Sequence, residues 1–95
     1  MILPGTRRRL QLIHGYLTRE RSRQTADRVL AKIKKRIEGL SGVHAYQEED
    51  GLRHLGLGHR RMIEGPYKII FRVIGDTVVI TDVFHTKRDP SEMRG

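Results

Sequence analysis

The sequence predicts an α+β domain: a short N-terminal strand, then a two-helix hairpin packed on one face of a three- to four-stranded antiparallel sheet. Three observations predict it. Apolar residues recur at helical spacing between Leu10 and Leu40. From His59 onward the period switches to two. Gly75-Asp76 then falls between two runs of β-branched and aromatic residues, where a two-residue hairpin turn belongs.

Met1-Ile2-Leu3 is apolar and short, and Pro4-Gly5-Thr6 interrupts it. Leu10, Ile13 and Leu17, with Leu12 and Tyr16 beside them, mark a first helix. Thr6 is its expected N-cap and Arg19 to Arg21 its expected end. A second helix is expected to begin at Ser22 to Gln24. Its stripe of Ala26, Val29, Leu30, Ile33, Ile37 and Leu40 is of the sort that packs on a sheet, and Gly39 or Gly42 can close it. The remaining face carries Arg28, Lys32, Lys34, Lys35 and Arg36, a run that reads as solvated helix surface.

Between Val43 and Gly58 the pattern dissolves into polar residues and glycines, including Glu48-Glu49-Asp50-Gly51 and Leu55-Gly56-Leu57-Gly58. These glycines make no phosphate-binding loop, because the strand, the third glycine and the Lys-Ser/Thr of such loops are missing.

Residues 59–65, 67–73 and 77–85 read as three strands. Counting outward from the turn sets Val73 opposite Val78, Arg72 opposite Val79, Phe71 opposite Ile80, Ile70 opposite Thr81 and Lys68 opposite Val83. Alternation then gives one face Ile69, Phe71, Val73, Val78 and Ile80, flanked by Tyr67 and Phe84, to lie under the helices. Lys68, Ile70, Arg72, Val79, Thr81, Val83 and His85 fall on the other. No further helix is available to cover that second face, so it is expected to be bare, a cationic docking surface. Asp82 is expected on the helix side, within reach of a helix cation.

A chain of 95 residues reads as one domain, 1–95, with a thin core. It has no cysteine, which removes disulfides and thiolate metal sites and suits a reducing, cytoplasmic compartment. No signal peptide is evident, and no apolar run approaches the roughly 20 residues of a membrane span. The formal net charge of +8 points to a polyanionic partner, whether nucleic acid, ribosome or acidic protein, or else serves solubility alone. Histidines 14, 44, 54, 59 and 85 lack His-x-x-x-His spacing, so no metal site is expected, and no cofactor. No Ser or Cys sits in a nucleophile motif.

The order of elements, Gly65-Pro66-Tyr67 followed by an aliphatic-aromatic-Arg-Val strand, the Gly-Asp turn, and the closing "VFHTKRDP" together resemble the RelE/ParE superfamily of bacterial toxins. The likeness is strongest over residues 60–90. It implies the toxin of a type II toxin–antitoxin (plasmid stabilisation) module, neutralised by a cognate acidic antitoxin. RelE-like members are ribosome-dependent mRNA endonucleases that need no metal; ParE-like members share the fold and poison DNA gyrase instead. The "HTKRDP" ending is more similar to the ParE branch. Positions that match the cationic set of a RelE-type site are His59, Arg61, Lys68 and Arg88. Arg94 stands near the place of that site's terminal aromatic, and Met1-Ile2-Leu3 is shorter than the family's usual first strand.

If the chain were RelE-like, cleavage would need a base for the 2′-OH, an acid for the departing 5′ oxygen and cations for the phosphorane. His59 or His85 would supply the proton chemistry, with Arg61, Lys68 and Arg88 as the clamp. Without chemistry, Arg60, Arg61, Lys68, Arg72, His85, Lys87 and Arg88 would bind the target, nucleic acid or antitoxin carboxylates, since affinity needs cations alone. A plain RNA-binding module fits less well, because "YKIIFRV" offers few stacking aromatics.

Overall fold

A computed structural model describes residues 1–95. Two helices, α1 (Pro4–Glu20) and α2 (Arg23–Glu38), precede strands β1 (Arg60–Glu64), β2 (Tyr67–Ile74) and β3 (Thr77–His85). The sheet is antiparallel in the order β1-β2-β3. Short 3-10 helices lie at Val43–Ala45, Asp50–Leu55 and Pro90–Glu92. No helix is long and apolar enough to cross a membrane.

Local chemistry sets the helix ends. Ser22 caps α2, its hydroxyl accepting from the Thr25 amide at 3.0 Å, and Gly39 closes it as expected. α1 starts earlier than its expected cap at Thr6. Pro4 takes the first helical position, where its missing N–H is no loss, and Leu3 is the extended residue before it. Thr6 lies inside the first turn, buried, and its hydroxyl donates to the Ile80 carbonyl of β3 at 2.9 Å. It ties the helix to the sheet rather than capping it.

The core follows from the helical stripes. Leu10 of α1 and Leu30 and Ile33 of α2 pack on Met62, Tyr67, Ile69, Phe71, Ile80 and Val83. Each fully buried Ile or Phe contributes about 1.5–3 kcal/mol of apolar transfer. The expected N-terminal strand shrinks to a single parallel bridge between Ile2 and Ile80, held by the Ile80 amide donating to the Met1 carbonyl at 2.8 Å.

The hairpin turn is where the sequence put it. Gly75 has φ +60° at the first turn position, Asp76 has negative φ, and Ile74 pairs with Thr77. The counted register holds through Phe71 opposite Ile80 and then fails. A β-bulge leaves Thr81 unpaired, so Ile70 faces Asp82, Ile69 faces Val83, Lys68 faces Phe84 and Tyr67 faces His85. The bulge has its own anchors. Thr81 donates its hydroxyl to the Arg94 carbonyl at 3.2 Å. The fully buried Asp82 carboxylate accepts from Arg9 Nε at 3.1 Å, from the Val83 amide at 2.8 Å and from the Arg94 amide at 3.1 Å. Arg9 is thus the helix cation that Asp82 meets.

One extra residue exchanges the faces of everything after it. Val83, expected on the second face, joins the helix-covered core, and Phe84 moves the other way. Val73, expected under the helices, is exposed at the hairpin tip. The second face is not bare either. Ile70 and Phe84 project there and are covered by Leu52 of the Asp50–Leu55 turn and by Met93, making a second apolar cluster. A large aromatic and an isoleucine on one sheet face demand a cover, and the 43–58 segment and C-terminus supply it.

Candidate functional site

What remains of the expected docking face is a set of cations around that second cluster. β1 alternates, so Met62 enters the core while Arg61 lies on the second face; likewise Lys68 and Arg72 alternate with Tyr67, Ile69 and Phe71 of β2. His59, just before β1, continues the Arg61 side.

The feature absent from the sequence expectation is a strap, residues 47–49, lying along the outer edge of β1. Glu48 bridges Arg60, the Arg61 amide donates to the Gln47 carbonyl at 3.0 Å, and the Glu49 amide donates to the His59 carbonyl at 2.9 Å. Arg61 tightens it by donating to the Glu48 carbonyl and to Gln47 Oε1. The strap carries the Glu49 carboxylate to a position only 2% exposed, where Lys68 Nζ donates to both oxygens at 2.8 and 3.2 Å and Arg61 Nη1 stands at 3.7 Å. Side chains of Lys68 and Arg61 are 25% and 21% exposed. Two of the expected site cations therefore share one buried internal anion.

His59 is 3% exposed and neither ring nitrogen has a protein hydrogen-bond partner. Burial, and then the neighbouring Arg72 guanidinium, push its pKa below the ordinary imidazole value. The buried Arg72 Nε is likewise unpartnered within the protein.

Other expected site residues are dispersed. Arg60 pairs with Phe71, on the helix-covered side of β1, and its guanidinium donates to the Tyr46 carbonyl. His85 pairs with Tyr67 and meets its ring edge-on at 5.3 Å, so the bulge has taken it off the face that carries Lys68 and Arg72. Tyr67 itself has a raised pKa, from burial and then from Tyr16. Lys87 is exposed, its amide donating to His85 Nδ1 at 3.1 Å. Arg88 lies 5.9 Å over the Phe84 ring and pairs with Glu92 at 2.7 Å. The structure gathers His59, Arg61, Lys68 and Arg72, holds Arg88 nearby through Phe84, and separates Arg60 and His85.

The group combines one imidazole, His59, with three cationic side chains, Arg61, Lys68 and Arg72. Its imidazole is driven towards the neutral form away from solvent, and its ammonium is already paired. No cluster of metal-ligating side chains is present.

Two helices over one face of a three-stranded antiparallel sheet make an α+β fold compatible with the RelE/ParE toxin superfamily. The family model described as "ParE toxin of type II toxin-antitoxin system, parDE" matches residues 2–90, and the chain belongs to that family. It is thus a toxin of a type II toxin–antitoxin system, and the family implies an antitoxin partner. No curated protein matches the chain significantly.

Proposed function

We propose that the chain acts as ParE-like toxins do, inhibiting DNA gyrase by binding alone, and that a cognate acidic antitoxin holds it inactive in a plasmid-stabilisation setting. One observation carries the reading: the buried Glu49 carboxylate, 2.8 Å from Lys68 Nζ and 3.7 Å from Arg61 Nη1, neutralises the positions that match the RelE-type clamp. A scissile phosphate would have to displace a carboxylate held by two cations and a strap. The proton-transfer partners are equally compromised, because His59 is buried and His85 lies on the opposite side of the sheet. Rate needs a matched acid and base, whereas affinity does not.

The test pairs two assays on the purified chain: supercoiling by gyrase, and primer extension on mRNA translated in a cell-free system. Inhibited supercoiling with intact transcripts is the expected result. Intact supercoiling with transcripts cut at the ribosome would replace this reading with the RelE-like endonuclease.

A further inference from the structure

Positive charge is concentrated along one edge of α2. Because α1 packs on β3 and α2 on β1, the outer edge of α2 borders the β1–β2 turn rather than α1. Two neighbouring depressions run along that edge, both lined by Lys32 and Glu64. Arg21, Arg28, Lys32, Lys35 and Arg36 rim them, all exposed, against the one carboxylate of Glu64. Arg36 stands 3.9 Å from Glu64, and the other four make no ion pair. Arg72 of the sheet face also lacks an ion pair, but its Nε is buried, out of reach of a large ligand.

The helix makes these cations a straight row. Spacings of four and three residues put Arg28, Lys32 and Lys35 on one side of α2, about 6 and 4.5 Å apart along its axis. Arg21, in the turn between the helices, continues the row at one end and Arg36 at the other. Such a row suits a rigid, dense line of negative charge, and duplex DNA carries about one charge per 1.7 Å of its axis. Side chains a helical turn apart can then take separate phosphates. The aromatic rings beside the row are not free to stack on an unpaired base: Tyr67 is 6% exposed, and Tyr46 lies edge-to-face with Phe71 at 5.6 Å. That favours a duplex over a single strand.

We infer that the outer edge of α2 is a second binding surface, one that grips the phosphate backbone of duplex DNA without regard to sequence. Lysine and arginine contacts to phosphates position a protein on the duplex and carry no sequence information. The choice of DNA rests on the gyrase reading. An inhibitor of an enzyme that works on duplex DNA raises its own effective concentration at the target by also holding the DNA there.

Fluorescence anisotropy of a short, labelled DNA duplex of mixed sequence, titrated with the purified chain at several salt concentrations, tests this. Lys32→Gln/Lys35→Gln is compared with Arg7→Gln/Arg8→Gln, which removes the same charge at exposed positions that line neither depression. None of the four side chains makes an ion pair, so both variants should fold, as circular dichroism will verify. For wild type the slope of log K against log salt is expected near about −4, the release expected for four or five phosphates. The α2 variant should bind about tenfold or more weakly with a slope shallower by about 2, while the control stays within about twofold of wild type. Unlabelled duplex of unrelated sequence should compete fully, and polyglutamate at equal charge poorly. Equal losses in the two variants, an unchanged slope in the α2 variant, or polyglutamate competing as well as DNA overturns the inference, the last by marking the edge as a site for acidic peptides. An RNA duplex that binds more tightly than the DNA overturns the choice of DNA. If gyrase is inhibited and wild type binds no duplex, the inference falls and the gyrase reading stands. If wild type binds duplex through this edge and supercoiling is unaffected, the surface stands and the gyrase reading falls.

Discussion

Replacing Glu49 with Gln keeps the shape of the strap and removes its charge. In the native chain the Lys68 ammonium sits 2.8 and 3.2 Å from the two carboxylate oxygens, and Arg61 adds a second cation at 3.7 Å. With an effective dielectric near 20, the closest pair alone is worth about 6 kcal/mol of gross attraction. Desolvating a carboxylate to 2% exposure offsets most of that. The released cations, a fifth to a quarter exposed, can partly rehydrate, which places the net loss below the 3–5 kcal/mol of fully buried pairs, at about 2 kcal/mol. For a chain of this length that corresponds to a fall in Tm of about 10 °C. Calorimetry on both proteins measures it, and a double-mutant cycle with Lys68→Met isolates the pair, with an expected coupling of about 1 kcal/mol or more. A Tm drop under about 2 °C, or a cycle with no coupling, would refute the view that Glu49 locks this face.

Three further outcomes are expected. Because the folded pKa of His59 lies below its unfolded value, its stabilising contribution is complete above about pH 6.5 and is lost as pH falls through the folded pKa; below 6.5 stability should fall by at most about 1.4 kcal/mol per pH unit from this group. A His59→Phe variant that melts with the same pH slope as wild type would discredit that assignment. Asp82→Ala strands the buried Arg9 guanidinium and the Val83 and Arg94 amides, for an expected loss of about 3–5 kcal/mol; a thermal melt within a degree or two of wild type would contradict it. Met93→Ala opens the cover over Ile70 and Phe84 and should cost about 2 kcal/mol or more in urea unfolding, whereas a cost near zero would mean that the C-terminal segment does not seal the second face.

The helical stripes and the Gly75-Asp76 turn were legible because each depends on local periodicity or turn chemistry. Phe71 opposite Ile80 could be counted from the turn for the same reason. The bulge could not be counted, since it depends on tertiary partners, Arg94 and Arg9, that satisfy Thr81 and Asp82. A hint was present: Thr-Asp inside an apolar strand places a poor strand former where a regular ladder would rather have a β-branched or aromatic residue. Missing that residue moved His85 to the wrong face and kept Phe84 from demanding a cover. Glu49 was equally hidden. It is one of three consecutive acidic residues in a segment without periodicity, and only the folded strap shows which carboxylate goes inside. Lys68 was found by alternation and Arg61 by the family resemblance; their neutralisation was found by neither.

The most direct test of a toxin that binds rather than cuts is made in cells that produce the chain without its antitoxin, reading plasmid topology and transcript ends from the same culture. Loss of negative supercoiling together with full-length mRNA is the predicted result. Normally supercoiled plasmid alongside mRNA cleaved within translated codons would contradict it.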